Sequence, residues 1–161
     1  MSAVLTESRN DMLNAMLEFR EGVELLKNEY PEKAVVKLRA AIDKDRQNPY
    51  FLSFLGVAIA RAEQKWVAAA ELCETAVQLN RKEIQFHLNL VEVLALAGRR
   101  DRALHRLQVA WSLFGNDARL RRAQNKLEQR RAPILSFFGR KNFLNRELGK
   151  LRHHFLQTRT K

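Results

Sequence analysis

Few residues in this chain of 161 are of the types that make or break covalent bonds. The single cysteine, Cys73, has no second thiol to pair with, which suits a reducing compartment. The four histidines are His87, His105, His153 and His154. No two lie four residues apart, and side chains adjacent on a helix point about 100° apart, so none share a helix face as metal ligands would. Gly56, Gly98, Gly115 and Gly139 stand alone rather than in a phosphate-cradling loop. No nucleophile has a base at a recognisable spacing. The expectation is a chain without catalytic residues, metal, cofactor or small-molecule substrate.

The elements that hold these residues read as helices. Three prolines and six glycines are few, and apolar residues recur at helical spacing throughout. The pattern predicts helices over 10–28, 31–44, 49–63, 66–79, 84–97 and 100–113. Pro31 and Pro49 stand where a first helical residue tolerates proline, the latter behind Asn48 as N-cap. Gly98 and Gly115 follow apolar-periodic segments as C-terminal caps do. The apolar stretch from Leu88 to Ala97 is interrupted by Asn89 and Glu92 and is too short to span a bilayer. The first residues lack the basic start and apolar core of a secretory signal, so a cytoplasmic protein is expected.

A repeat of 34–35 residues runs through the chain. Gly22, Gly56 and Val91 align, as do Leu25, Ile59 and Leu94. So do Ala34, Ala69 and Ala103, then Leu38, Cys73 and Leu107, then Ala41, Ala76 and Ala110. The two sets agree if one residue is inserted in the turn at 62–65. Small residues at fixed spacing leave room for a neighbouring helix to approach closely, and larger apolar residues then fill the seam. Trp66 and Trp111 read as core beside these columns.

These columns resemble the tetratricopeptide repeat. The second repeat carries the likeness best, with Leu52, Leu55, Gly56 and Ile59 followed by Ala69, Cys73 and Ala76. The first repeat departs, placing Glu18 and Glu21 where large apolar residues are usual, as befits an end with one solvated face. The resemblance implies an all-α solenoid of three helix-turn-helix repeats, at about 15–48, 49–83 and 84–117. It also implies a concave groove lined by residues two, five, nine and twelve of each first helix. Here those are Met16, Phe19, Val23 and Leu26; Tyr50, Ser53, Val57 and Ala60; Gln85, Leu88, Glu92 and Ala95. None is Lys or Arg, so the carboxylate clamp of co-chaperone members is not expected. Phe19, Tyr50 and Leu88 are the candidate anchors for an apolar peptide or amphipathic helix, unless they pack helix against helix.

Charge sets the last quarter apart. Residues 118–161 hold 13 Lys/Arg against 2 Asp/Glu, whereas residues 1–117 are balanced at 16 each. Asp117 can cap a further helix to about Arg131, its thin stripe of Leu120, Ala123 and Leu127 suiting a solenoid cap. After Pro133 and an apolar connector over 134–139, Asn142 can cap a last helix. Leu144, Leu148, Leu151 and Phe155 form its stripe. Ten of these 13 are the candidate contacts of a basic arm: Arg119, Arg121, Arg122, Arg130, Arg131, Arg140, Lys141, Arg146, Lys150 and Arg152. Two readings stay open, a helix folded back on the solenoid and a basic arm. This tail is similar to that of some short bacterial repeat proteins.

Together these features predict an adaptor, scaffold or chaperone-like module that binds another protein, the tail being a second contact for an acidic surface. The alternative is nucleic-acid or anionic-membrane binding through the tail. Against nucleic acid, Phe137, Phe138, Phe143 and Phe155 fall in apolar runs rather than in an exposed stacking array.

Overall fold

The computed structural model describes residues 2–129. Residues Met1–Leu127 make one compact unit, and a second begins at Glu128. Seven helices are described: α1 (Ser2–Lys27), α2 (Pro31–Lys44), α3 (Pro49–Glu63), α4 (Trp66–Leu79), α5 (Ile84–Leu96), α6 (Arg100–Phe114) and α7 (Ala118–Gln129). Helices α2, α3 and α4 have the bounds expected from the sequence. Helix α1 differs, beginning at Ser2 instead of residue 10, because no glycine or proline interrupts Ser2–Arg9.

The turns follow from local chemistry. Pro31 and Pro49 are first helical residues, and Asn48 caps α3 by accepting the Tyr50 N–H at 3.1 Å. Glu83 caps α5 in the same way, accepting from Gln85 N–H at 3.0 Å. After α5 the chain closes through Gly98 at φ +75°. Arg99 N–H reaches back to the Leu94 carbonyl at 2.9 Å and Gly98 N–H to the Ala95 carbonyl at 3.2 Å. The end of α1 repeats this geometry with Tyr30 N–H on Leu25 and Glu29 N–H on Leu26, but a glutamate holds the left-handed position, at φ +61°.

Helices pair in sequence, α1 with α2, α3 with α4 and α5 with α6. First helices of successive pairs also touch, α1 on α3 and α3 on α5, forming an inner layer. The second helices α2 and α4 pack back onto the first helix of the next pair. Helix α3 therefore has neighbours nearly all round, which is why its sequence is apolar on every face and buries Phe51, Leu52, Leu55, Val57, Ala58 and Ile59.

The repeat columns are the core. Ala34, Ala69, Ala103, Leu38, Cys73, Leu107, Ala41, Ala76 and Ala110 are all at most 2% exposed. Glycine is required where helices of a pair come closest. A Cβ on Gly56 would lie 2.6 Å from Cys73 Sγ and 2.7 Å from the Ala69 carbonyl oxygen, and one on Gly22 would lie 2.7 Å from Leu38 Cγ. Trp66 and Trp111 are half-buried against this core. The aberrant Glu18 and Glu21 are met by Lys37 of α2, whose ammonium sits 3.1 and 2.7 Å from their carboxylates. Their hydrogen bonds, that to Glu21 foremost, raise the Lys37 pKa.

Helix α7 ends the described part. Asp117 accepts the Arg119 N–H at 2.7 Å, and Leu120 and Leu127 are buried in the same core cluster, with Ala123 against it. The compact unit thus runs ten residues past the expected repeat boundary at 117. The connector, the last helix and the residues from Arg130 onward lie outside the described residues.

Candidate functional site

The inner layer forms a groove with an open volume of about 330 Å³. Val23, Leu26, Lys27 and Glu29 line it from α1 and the turn after it, Phe54, Val57 and Arg61 from α3, and Gln85, Asn89 and Glu92 from α5. Of the expected groove residues, the structure brings together Val23, Leu26, Val57, Gln85 and Glu92.

Of the other seven, Met16 is exposed, Ala60 is buried and Ala95 is half-buried against the core, and the remaining four are also placed differently. Ser53 is fully buried beneath the groove, where its hydroxyl accepts from Asn89 Nδ2 at 2.9 Å, so it supports the floor rather than facing a ligand. Phe19 is half-buried between aromatic rings, 5.1 Å from Phe51 and 5.4 Å from Phe54. Leu88 is half-buried against the core. Tyr50 keeps 41% exposure, yet its ring stands edge-on to Phe86 at 4.8 Å and its hydroxyl donates to Glu83 at 2.9 Å. That bond to a carboxylate, aided by burial, raises the Tyr50 pKa. The three residues named as anchors from sequence thus also pack between helices.

Residues that the sequence columns missed complete the lining of the groove. Counted from Ala15, Pro49 and Ile84, Phe54 and Asn89 occupy the sixth place and Lys27 and Arg61 the thirteenth. Places two, six, nine and thirteen form one helical stripe, displaced by a residue from two, five, nine and twelve and covering nearly the same arc. Arg61 is the most connected of them. Its Nε donates to Glu92 Oε1 at 2.8 Å and its Nη1 to the Leu26 carbonyl at 3.1 Å, tying the first helices of all three pairs. A partly buried polar chain runs alongside, with Gln85 Nε2 donating to Asn89 Oδ1 at 2.8 Å.

The residues that could have done chemistry are turned inward. Cys73 is buried, its thiol 3.4 Å from the Ser53 carbonyl oxygen, and desolvation pushes its pKa up to about 12. That is the opposite of an activated nucleophile. His87 is buried, bonded to the Arg81 carbonyl at 3.1 Å and edge-on to Phe114, and burial lowers its pKa. Of the ten basic residues named above for the extension, Arg119, Arg121 and Arg122 fall among the described ones. All three are exposed, Arg119 being paired with Asp117 at 3.0 Å. No helix among the described residues is long and apolar enough to cross a membrane.

The sequence profile of the tetratricopeptide repeat matches residues 60–127. The fold is a tetratricopeptide-repeat solenoid. Its helices superpose on the Arabidopsis OM64 TPR domain with a TM-score of 0.62 at 18% identity, over 74% of this chain and 98% of that one. They superpose on the second TPR domain of human RPAP3, solved with the HSP70 peptide SGPTIEEVD, with a TM-score of 0.60. There the identity is 16%, over 75% of this chain and 98% of that one. A Thermobaculum terrenum O-GlcNAc transferase mutant matches at 0.63 and 22% identity, over 73% of this chain and 22% of its own. No curated protein matches the chain in sequence. At these identities the likeness is one of fold.

Proposed function

We propose that this solenoid is a non-enzymatic protein-interaction module, an adaptor or chaperone-like protein, that takes an apolar peptide or amphipathic helix in the groove of α1, α3 and α5. The observation that supports it is the groove itself. Val23, Leu26, Phe54 and Val57 wall a cleft about as large as a few side chains, and polar groups converge on its floor. The RPAP3 neighbour, solved with a peptide, lends the fold a precedent for this use. The basic extension, with Arg119, Arg121 and Arg122 at its start, is the second contact, fitted to an acidic surface of the partner.

A pull-down from native cytosol with the full chain tests this reading, run beside the variant Val23→Trp, which fills the groove from a half-buried position. The module reading expects a partner retained at raised salt by the wild-type chain and lost by the variant at unchanged melting temperature. The alternative reading, nucleic acid or anionic membrane on the extension, is favoured by the 13-to-2 charge bias of residues 118–161. It expects binding that Val23→Trp leaves intact and that weakens steeply with salt, by about 0.9 in log–log slope per phosphate neutralised.

A further inference from the structure

The polar groups of the groove are lopsided. Arg61 spends Nε and Nη2 on Glu92 Oε1 and Nη1 on the Leu26 carbonyl. The Gln85 amide donates to Asn89, and the Asn89 amide to Ser53. Lys27 at the rim is turned to Glu24 at 3.2 Å. Each of these donor groups thus already has at least one partner within the protein. The acceptors are open: both bonds to Glu92 end on Oε1, leaving Oε2, and the Gln85 side-chain oxygen accepts no hydrogen bond among the described residues. The Glu29 carboxylate is 82% exposed, its nearest cation 3.7 Å away at Arg61.

The two possible charges of a ligand therefore meet different receptions. An incoming carboxylate would have to share Arg61 with Glu92 while approaching Glu29, a like charge. An incoming ammonium or guanidinium meets open oxygens, and its alkyl stem can lie along Val23, Leu26, Phe54 and Val57. Resting on the docking site proposed above, we infer that the occupant of the groove is an apolar segment carrying a Lys or Arg side chain. Its charged end is held between Glu29 and Glu92. That is the reverse of the acidic peptide SGPTIEEVD solved with the RPAP3 neighbour. Glu29 holds the left-handed position after α1, as Gln64 does after α3, and from there its carboxylate overlooks the groove.

The test is selection of a random dodecapeptide library displayed on phage against the immobilised full chain, counter-screened on Val23→Trp and on a second blocking variant, Gln85→Trp. At least one blocking variant must keep the wild-type circular dichroism and melting temperature. Peptides that bind the wild-type chain and are lost on the folded blocking variant are expected to pair Lys or Arg with large apolar residues. Their affinity is expected to fall roughly tenfold in the full chain carrying Glu29→Gly. The same substitution removes a strained backbone position, so its melting temperature stays equal or rises. Selected groove peptides rich in Asp or Glu, or without charge preference, overturn the inference and leave the groove as the site. So does binding unchanged by Glu29→Gly. If no selected peptide is sensitive to either blocking variant, the docking site itself falls, and the inference with it.

Discussion

Gly56→Ala puts the central packing contact to a test in which two effects oppose. In an isolated helix the change would be favourable by about 0.8–1 kcal/mol, because alanine has the higher helix propensity. In this solenoid the new methyl would stand 2.6 Å from Cys73 Sγ and 2.7 Å from the Ala69 carbonyl oxygen. Ordinary carbon contacts are about 3.5–4.0 Å, so α3 and α4 must part by up to ~1 Å or Cys73 must leave its rotamer. Cys73 is fully buried, and the carbonyl cannot rotate away, so the overpacking cost should reach the upper part of the usual ~1–3 kcal/mol range. The net expectation is a loss of about 2 kcal/mol. For a chain this long that is a fall in melting temperature of roughly 5–8 °C by circular dichroism. In a double-mutant cycle, Cys73→Ala should recover part of the loss, since it removes the sulfur and leaves the carbonyl. A coupling of about 0.5 kcal/mol or more is expected. Gly98→Ala is the control, because its φ of +75° makes strain without any neighbour within 4 Å, and Cys73→Ala should not relieve it. A Gly56→Ala protein as stable as wild type, or more stable, would show that α3 and α4 do not approach as described.

Other outcomes follow from single side chains. Ala103→Leu enlarges a column residue with no exposure and should cost about 1–3 kcal/mol in urea unfolding. Ser53→Ala leaves the buried Asn89 amide without its acceptor and should cost about 1–3 kcal/mol, whereas an exposed Ser112→Ala should cost far less. Cys73, with its pKa near 12, should react with a thiol reagent at pH 8 only as fast as the protein opens, and at once in denaturant. His87 binds its proton less readily folded than unfolded, so stability should fall as pH drops below about 6.5. His87→Phe should flatten that slope between pH 7 and the lowered folded value.

The core was legible because its causes are periodic. Alanine or glycine recurring every 34–35 residues marks close helix contacts, and each such column proved buried. The groove was legible only by half, because a helix shows a face as an arc and not as a line. The stripe through places two, five, nine and twelve captured Val23, Leu26, Val57, Gln85 and Glu92. It passed beside Phe54, Arg61 and Asn89, which lie on the neighbouring stripe of the same arc. Tyr50 read as an anchor, because nothing local says that Glu83, 33 residues on, will accept its hydroxyl. Arg61 went unnoticed for a similar reason, since its partners Leu26 and Glu92 come from two other repeats. Glu29 was hidden in a turn where glycine would have announced the left-handed backbone.

The proposed docking site puts the partner along α1, α3 and α5. It is tested most directly by photocrosslinking from a benzoylphenylalanine placed at single positions of the full chain. Val23 and Gln85 report the groove, while the exposed Val36 and Val67 report α2 and α4 on the other side. Crosslinks to one partner segment from Val23 and Gln85, with none from Val36 or Val67, are the predicted result. Crosslinks to the partner from Val36 or Val67 with none from the groove would contradict it.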